Sequence, residues 1–100
     1  MKLQNGHINI PVDIVKTVLE NEAQINWVFY PDRNMLLLAG KSKLFFEKLH
    51  KTDWQTLKDK NIQGDKSLFI RAILIDNDLD ESDRDLVFEI KNTGIISINL

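Results

Sequence analysis

The stretch NGHINIPVDIVK, residues 5–16, decides the fold. Side chains alternate across a strand, so Ile8 and Ile10 share one face while His7 and Asn9 share the other. Pro11 has no N–H with which to continue a sheet ladder. Directly after it Ile14, Val15, Val18 and Leu19 recur at helical spacing. A strand over His7–Pro11 therefore feeds, with no spacer, an amphipathic helix over Val12–Asn21. Glu20-Asn21-Glu22 closes that helix.

Working outward, Ile25–Tyr30 (INWVFY) is short and rich in β-branched and aromatic residues, which predicts a strand. Tyr30-Pro31-Asp32-Arg33-Asn34 follows, with proline at the second turn position and an asparagine suited to left-handed backbone. Met35–Ala39 then returns as the partner of a hairpin. Lys41–Lys60 reads as helical, with Leu44, Phe45, Phe46 and Leu49 on one face. Thr52-Asp53 offers a cap for a second helix carrying Trp54 and Leu57. Leu68–Ile75 is expected as a central strand, apolar on both faces. A polar loop over Asp76–Asp85 precedes Leu86–Ile90 and Ile95–Leu100, a second hairpin whose turn Lys91-Asn92-Thr93-Gly94 has glycine at its fourth place.

The order β-α-β-β-α-β-β-β predicts a single α+β domain over residues 1–100: a small mixed or antiparallel sheet, or an open β-barrel, with two or three helices. An apolar share of 43% with 28% charged residues argues against disorder. Phe29, Phe45 or Phe46, Phe69 and Phe88 are the expected aromatic core, and Trp54 is the aromatic expected at the surface as an interaction residue.

Several functions are set aside by composition. Without cysteine there are no disulfides, thiolate metal sites or cysteine nucleophiles. His7 and His50 are the only histidines, too few and too far apart to suggest a zinc site. No glycine-rich phosphate loop or serine elbow is present. An enzyme is not expected, nor a cofactor or a small-molecule substrate. No apolar run is long enough to span a bilayer, and the amino-terminal MKLQNGHIN lacks a secretory h-region, so the cytoplasm is the expected location.

Charge is unevenly distributed. Residues 1–60 carry nine Lys/Arg against seven Asp/Glu, and residues 61–100 four against eight, which together give the net −2. Lys41, Lys48, Lys51 and Lys58, spaced near one helical face with Lys43, His50 and Lys60 nearby, could contact phosphates. Glu47, Asp53 and Asp59 interrupt that positive field, so the favoured reading is a solvated face opposite Phe46, Leu49 and Leu57. Six carboxylates fall within Asp76–Asp85. The Asp76-Asn77-Asp78-Leu79-Asp80 opening suggests a calcium loop, but Glu81 stands where glycine is needed and Val87 where a bidentate glutamate is needed. A solvated connection that discourages edge pairing is the expectation.

With these elements placed, GHINIP, VDIVKTVL and INWVFYPDRNMLLLA over residues 6–39 resemble the swapped-hairpin domain of the AbrB and MraZ transcription-regulator families. Gly6, Ile8, Ile10 and Pro11 match the strand, Asp13 and Ile14 the helix opening, and residues 25–39 the hairpin. The resemblance implies a homo-oligomer that presents its strand and helix to double-stranded DNA, with Lys2, His7, Asn9 and Lys16 as the contacting residues. Leu3 stands where these families carry an acid, and His7 and Val15 where they carry arginines. Those departures leave a second expectation open: a protein-interaction or assembly module of the same fold that binds no DNA. Thr93-Gly94-Ile95-Ile96-Ser97-Ile98 also echoes Asn5–Ile10, either as a degenerate second motif or as a second turn followed by an alternating strand.

Overall fold

The computed structural model describes all 100 residues, Met1–Leu100. Its first element is one that the sequence reading lacks. Strands β1 (Lys2–Gln4) and β2 (His7–Ile10) form a hairpin. Asn5 and Gly6, at φ 52° and 76°, make its two-residue turn. That dipeptide suits a type I′ turn, whose twist matches that of the flanking strands. Pro11 ends β2, and its carbonyl accepts from the N–H groups of Ile14 and Val15 at 3.0 and 3.1 Å. Helix α1 follows immediately, Val12–Thr17, with Ile14 and Val15 buried. It stops short of Asn21 because Glu20 and Asn21 adopt left-handed backbone, φ 52° and 59°.

The next hairpin is as expected. β3 (Gln24–Tyr30) and β4 (Met35–Gly40) pair from Ile25↔Gly40 to Tyr30↔Met35. A 3-10 turn over Pro31–Arg33 joins them, with Asn34 left-handed at φ 49°.

Two expectations are corrected beyond Gly40. Lys41–Lys60 is not helical throughout. Helix α2 covers only Leu44–Leu49, and the chain then forms β5 (Asp53–Thr56) and β6 (Lys58–Asp59). The register explains this: β5 aligns Trp54 with Asn26 and Asp53 with Trp27, using an edge of β3 that would otherwise be bare. Nor is Leu68–Ile75 one strand. β7 (Lys66–Phe69) ends where Ile70 donates its N–H to the Gly6 carbonyl, and helix α3 runs Arg71–Asp76. A helix buries Ile70 and Leu74, four apart, and leaves Ala72 at the surface. The remaining strands are β8 (Arg84–Asp85), β9 (Phe88–Ile90) and β10 (Ile96–Asn99). β9 and β10 make the expected second hairpin, with Gly94 at φ 84° in its turn.

The fold is α+β, with three helices and two antiparallel five-stranded sheets ordered β6-β7-β2-β1-β8 and β5-β3-β4-β10-β9. Neither sheet closes into a barrel. Sixteen buried residues form one apolar cluster that includes Leu3, Ile8, Ile10 and Leu68 from the first sheet and Ile25, Leu36, Leu38, Ile96 and Ile98 from the second. Trp27 and Phe29 pack against this cluster. Phe46, not Phe45, is the fully buried aromatic of α2. Its ring lies 5.1 Å from that of His50, which in turn hydrogen-bonds Tyr30 on the opposite face of β3 from Phe29. Phe69 and Phe88 are not core residues but exposed ones. No helix is long and apolar enough to cross a membrane.

Candidate nucleic-acid interface

The first sheet turns one face to the core and the other to solvent. Cross-strand partners in an antiparallel ladder carry their side chains on the same face. The registers Lys58↔Ser67, Ser67↔Asn9, Asn9↔Lys2 and Lys2↔Asp85 therefore draw one polar row across all five strands. A second row on that face is Phe69, His7 and Gln4, from the pairs Phe69↔His7 and His7↔Gln4. At about 4.8 Å between strands, the face is roughly 19 Å wide.

These side chains hold one another in place. Asn9 Nδ2 donates to Gln4 Oε1 at 3.0 Å. His7 Nδ1 lies 3.0 Å from the Asn5 carbonyl oxygen. A carbonyl only accepts, so Nδ1 carries the proton and Nε2 is the ring's acceptor when the imidazole is neutral. The rings of His7 and Phe69 are 4.8 Å apart and tilted by 51°. Phe69 is 45% exposed, a large apolar ring at the surface of an otherwise polar sheet.

A shallow cleft of about 240 Å³ opens at the Lys2–Asn9 end of this face, lined also by Lys60, Asp65 and Asp85. Its two lysine side chains face two aspartates. Asp65 is structural: it accepts from Asn61 Nδ2 at 2.9 Å and from the Val12 N–H at 2.7 Å. Those two hydrogen bonds, Asn61 first, hold its carboxyl below the usual carboxylate range. Asp65 thereby supplies the side-chain acceptor at the start of α1 that Pro11 cannot.

Lys2, His7 and Asn9 thus share one solvent face, although only His7 and Asn9 are close in sequence. Lys16 lies apart from them, exposed in the last turn of α1. Lys41, Lys48 and Lys51 do not form a helical stripe, because Lys48 alone of the three lies within α2. Lys51 borders a different cavity, with Trp27, Phe29, Asp53 and Ile73. Lys41 stands with its ammonium 4.8 Å from the centre of the Trp54 ring. Trp54 itself is 59% exposed on β5, as expected for a surface aromatic.

The acidic stretch divides among three structures. Asp76 ends α3, Asp80 makes a local turn by accepting from Ser82 N and Oγ at 2.9 and 2.8 Å, and Asp85 lies in β8. The backbone bond from Ser82, then its hydroxyl, lowers the Asp80 carboxyl below the ordinary range. Asp83 accepts from the Asn5 N–H at 3.0 Å, so part of this segment secures the β1–β2 turn.

Sequence reasoning missed Phe69, Lys58 and Ser67 as members of the face. A usable signal was present, since Ile70, Ile73 and Leu74 have helical spacing and mark where the strand stops. Comparison with family models, with curated proteins and with solved structures finds no match.

Proposed function

We propose that this chain is a nucleic-acid-binding, transcription-regulator-like domain that acts as a homo-oligomer and binds through the outer face of its first sheet. The observation that carries this reading is the meeting of Lys2, His7 and Asn9 with the exposed Phe69 ring on one face. Each group has a part in such binding. Lys2 and Lys58 contact phosphates, His7 and Phe69 stack on bases, and Asn9, Gln4 and Ser67 offer hydrogen bonds to base edges.

The geometry favours an unpaired strand over a duplex. A face roughly 19 Å wide does not enter a major groove about 12 Å across. Stacking on a ring also requires a base free of its neighbours. Duplex DNA, the expectation from the AbrB and MraZ resemblance, would require Lys16 on α1 as well as Lys2, His7 and Asn9.

Fluorescence polarisation with labelled single-stranded and duplex DNA of mixed sequence separates these readings. Single-strand binding should weaken about tenfold or more on Phe69→Ala, since base–aromatic stacking contributes about 1–3 kcal/mol. Lys2→Ala should flatten the log–log salt slope by about 0.7, one phosphate contact. Preference for duplex with loss on Lys16→Ala would favour the groove-reading alternative. No binding of either form at about 50 mM salt would overturn the proposal. The protein-interaction reading draws on a separate observation, the exposure of Leu44 and Leu49 on α2 and of Trp54 on β5.

A further inference from the structure

Four strands form the outer edges of the two sheets: β6 and β8 on the first, β5 and β9 on the second. Exposed edges invite pairing with another chain, and proteins blunt them with short strands and charges. β6 is Lys58–Asp59 and β8 is Arg84–Asp85, each two residues long and charged at both positions. β5 carries Asp53, with Lys41 standing over Trp54. Only β9, Phe88-Glu89-Ile90, is mainly apolar. Val87 before it is 71% exposed, and Phe88 and Ile90 are 36% and 42% exposed.

The ladder with β10 shows which backbone groups of this edge are free. Asn99 donates to the Val87 carbonyl at 2.9 Å, and Lys91 donates to the Ile95 carbonyl at 2.8 Å. Antiparallel ladders alternate, so Val87, Glu89 and Lys91 turn their N–H and C=O groups toward β10. Phe88 and Ile90 turn theirs outward.

We infer that β9 is a self-association edge, which pairs antiparallel with β9 of a second copy across a two-fold axis and joins the two second sheets into one ten-stranded sheet. Three symmetric registers bring outward backbone groups together. Pairing Phe88 with Ile90 sets Glu89 directly against Glu89, a like-charge contact. Pairing Phe88 with Phe88 calls on the Leu86 N–H, which already donates to the Met1 carbonyl at 2.8 Å. Pairing Ile90 with Ile90 sets Glu89 against Lys91, and symmetry makes that pair twice. Within one chain Lys91 Nζ is 3.1 Å from Glu89 Oε2, so both charges already lie on the same face of the edge. Charge complementarity therefore selects the register with Ile90 on the axis, and it selects this chain itself as the partner. Phe88 and Ile90 of both copies extend the apolar row that Ile96 and Ile98 begin.

This inference gives the homo-oligomer part of the proposed function a surface, and it is independent of nucleic-acid binding because β9 lies outside the first sheet. Sedimentation velocity on the full chain without nucleic acid tests it, with urea unfolding of each variant as a control for folding. The wild type should show a concentration-dependent dimer. Glu89→Lys and Lys91→Glu should each weaken it roughly tenfold or more by opposing like charges. The double exchange, Glu89→Lys with Lys91→Glu, should restore it. Ile90→Pro, which removes only an outward N–H from the backbone, should abolish the dimer while the monomer stays folded. A chain that remains monomeric up to about 1 mM overturns the inference, as does a dimer indifferent to both single charge changes. A dimer weakened by Trp54→Ser but not by the β9 variants overturns it too. Failure of DNA binding with the dimer intact overturns only the nucleic-acid reading.

Discussion

Leu68 and Phe69 are adjacent on β7, and alanine at each should cost very different amounts of stability. Leu68 faces the core, fully buried and paired with Ile8. Leu68→Ala should cost about 2–5 kcal/mol, and the absence of any solvent path to that site argues for the upper half of the range. Phe69 is the larger residue, yet 45% of it is exposed. About half of the 1.5–3 kcal/mol of full burial is at stake, or roughly 1 kcal/mol. The ring contact with His7 adds about 0.5–1 kcal/mol, and no cavity forms because the site opens to solvent. Phe69→Ala should therefore cost about 1–2 kcal/mol in all. Urea unfolding followed by tryptophan fluorescence reads this directly. With a slope of about 1.5 kcal/mol/M, Leu68→Ala should lower the midpoint by about 2.3–3.3 M and Phe69→Ala by about 0.7–1.3 M. Equal losses, or a larger one at Phe69, would mean that β7 carries Phe69 into the core. That result would refute the outward placement of Phe69 beside His7, and with it the stacking surface.

Three further outcomes follow from local geometry. Asp65 is held ionised by Asn61 and the Val12 N–H, so its folded pKa lies below its unfolded one. Its stabilisation is present above the unfolded value, about 3.9, and is lost as pH falls through the folded value. Wild type should thus be more stable than Asp65→Asn at pH 7 and converge with it in strong acid; a gap in urea midpoint that stays constant with pH would count against this. Gly6→Ala should lower stability by about 1–3 kcal/mol in thermal unfolding, because φ is 76° and the new Cβ would meet the Arg71 side chain at 2.7 Å. Phe46→Ala should cost about 3–5 kcal/mol and Phe45→Ala under about 1 kcal/mol, since only Phe46 is fully buried; similar melting temperatures for the two would overturn that placement of α2.

Much of the fold was legible because it is written in short-range pattern. Alternating Ile8 and Ile10, the proline stop, the helical spacing of Ile14 and Val15 and the Pro31–Asn34 turn each act within a few residues. Local sterics and local hydrogen bonds decide such features, and the structure keeps all of them. The Asn5-Gly6 hairpin was equally legible by its turn chemistry, but only three residues precede it in β1, too short a run for periodicity to register. The lysine-rich region misled for a different reason. Leu44, Phe45, Phe46 and Leu49 do suit a helix, yet whether it continues depends on β3, whose open edge takes up residues 53–56.

By itself, then, the sequence determined an α+β chain with two hairpins, a strand–proline–helix start and a charge balance that shifts from positive to negative. Only the tertiary structure decided which face each residue joins. Lys2, His7, Asn9, Phe69 and Lys58 become neighbours through pairing of β1, β2, β7 and β6, and Glu89 and Lys91 become an edge through pairing of β9 with β10 alone. Strand pairing joins segments as much as 83 residues apart, as Lys2 and Asp85 show. Its register is set by the common burial of both partners, a condition that no single stretch of sequence contains.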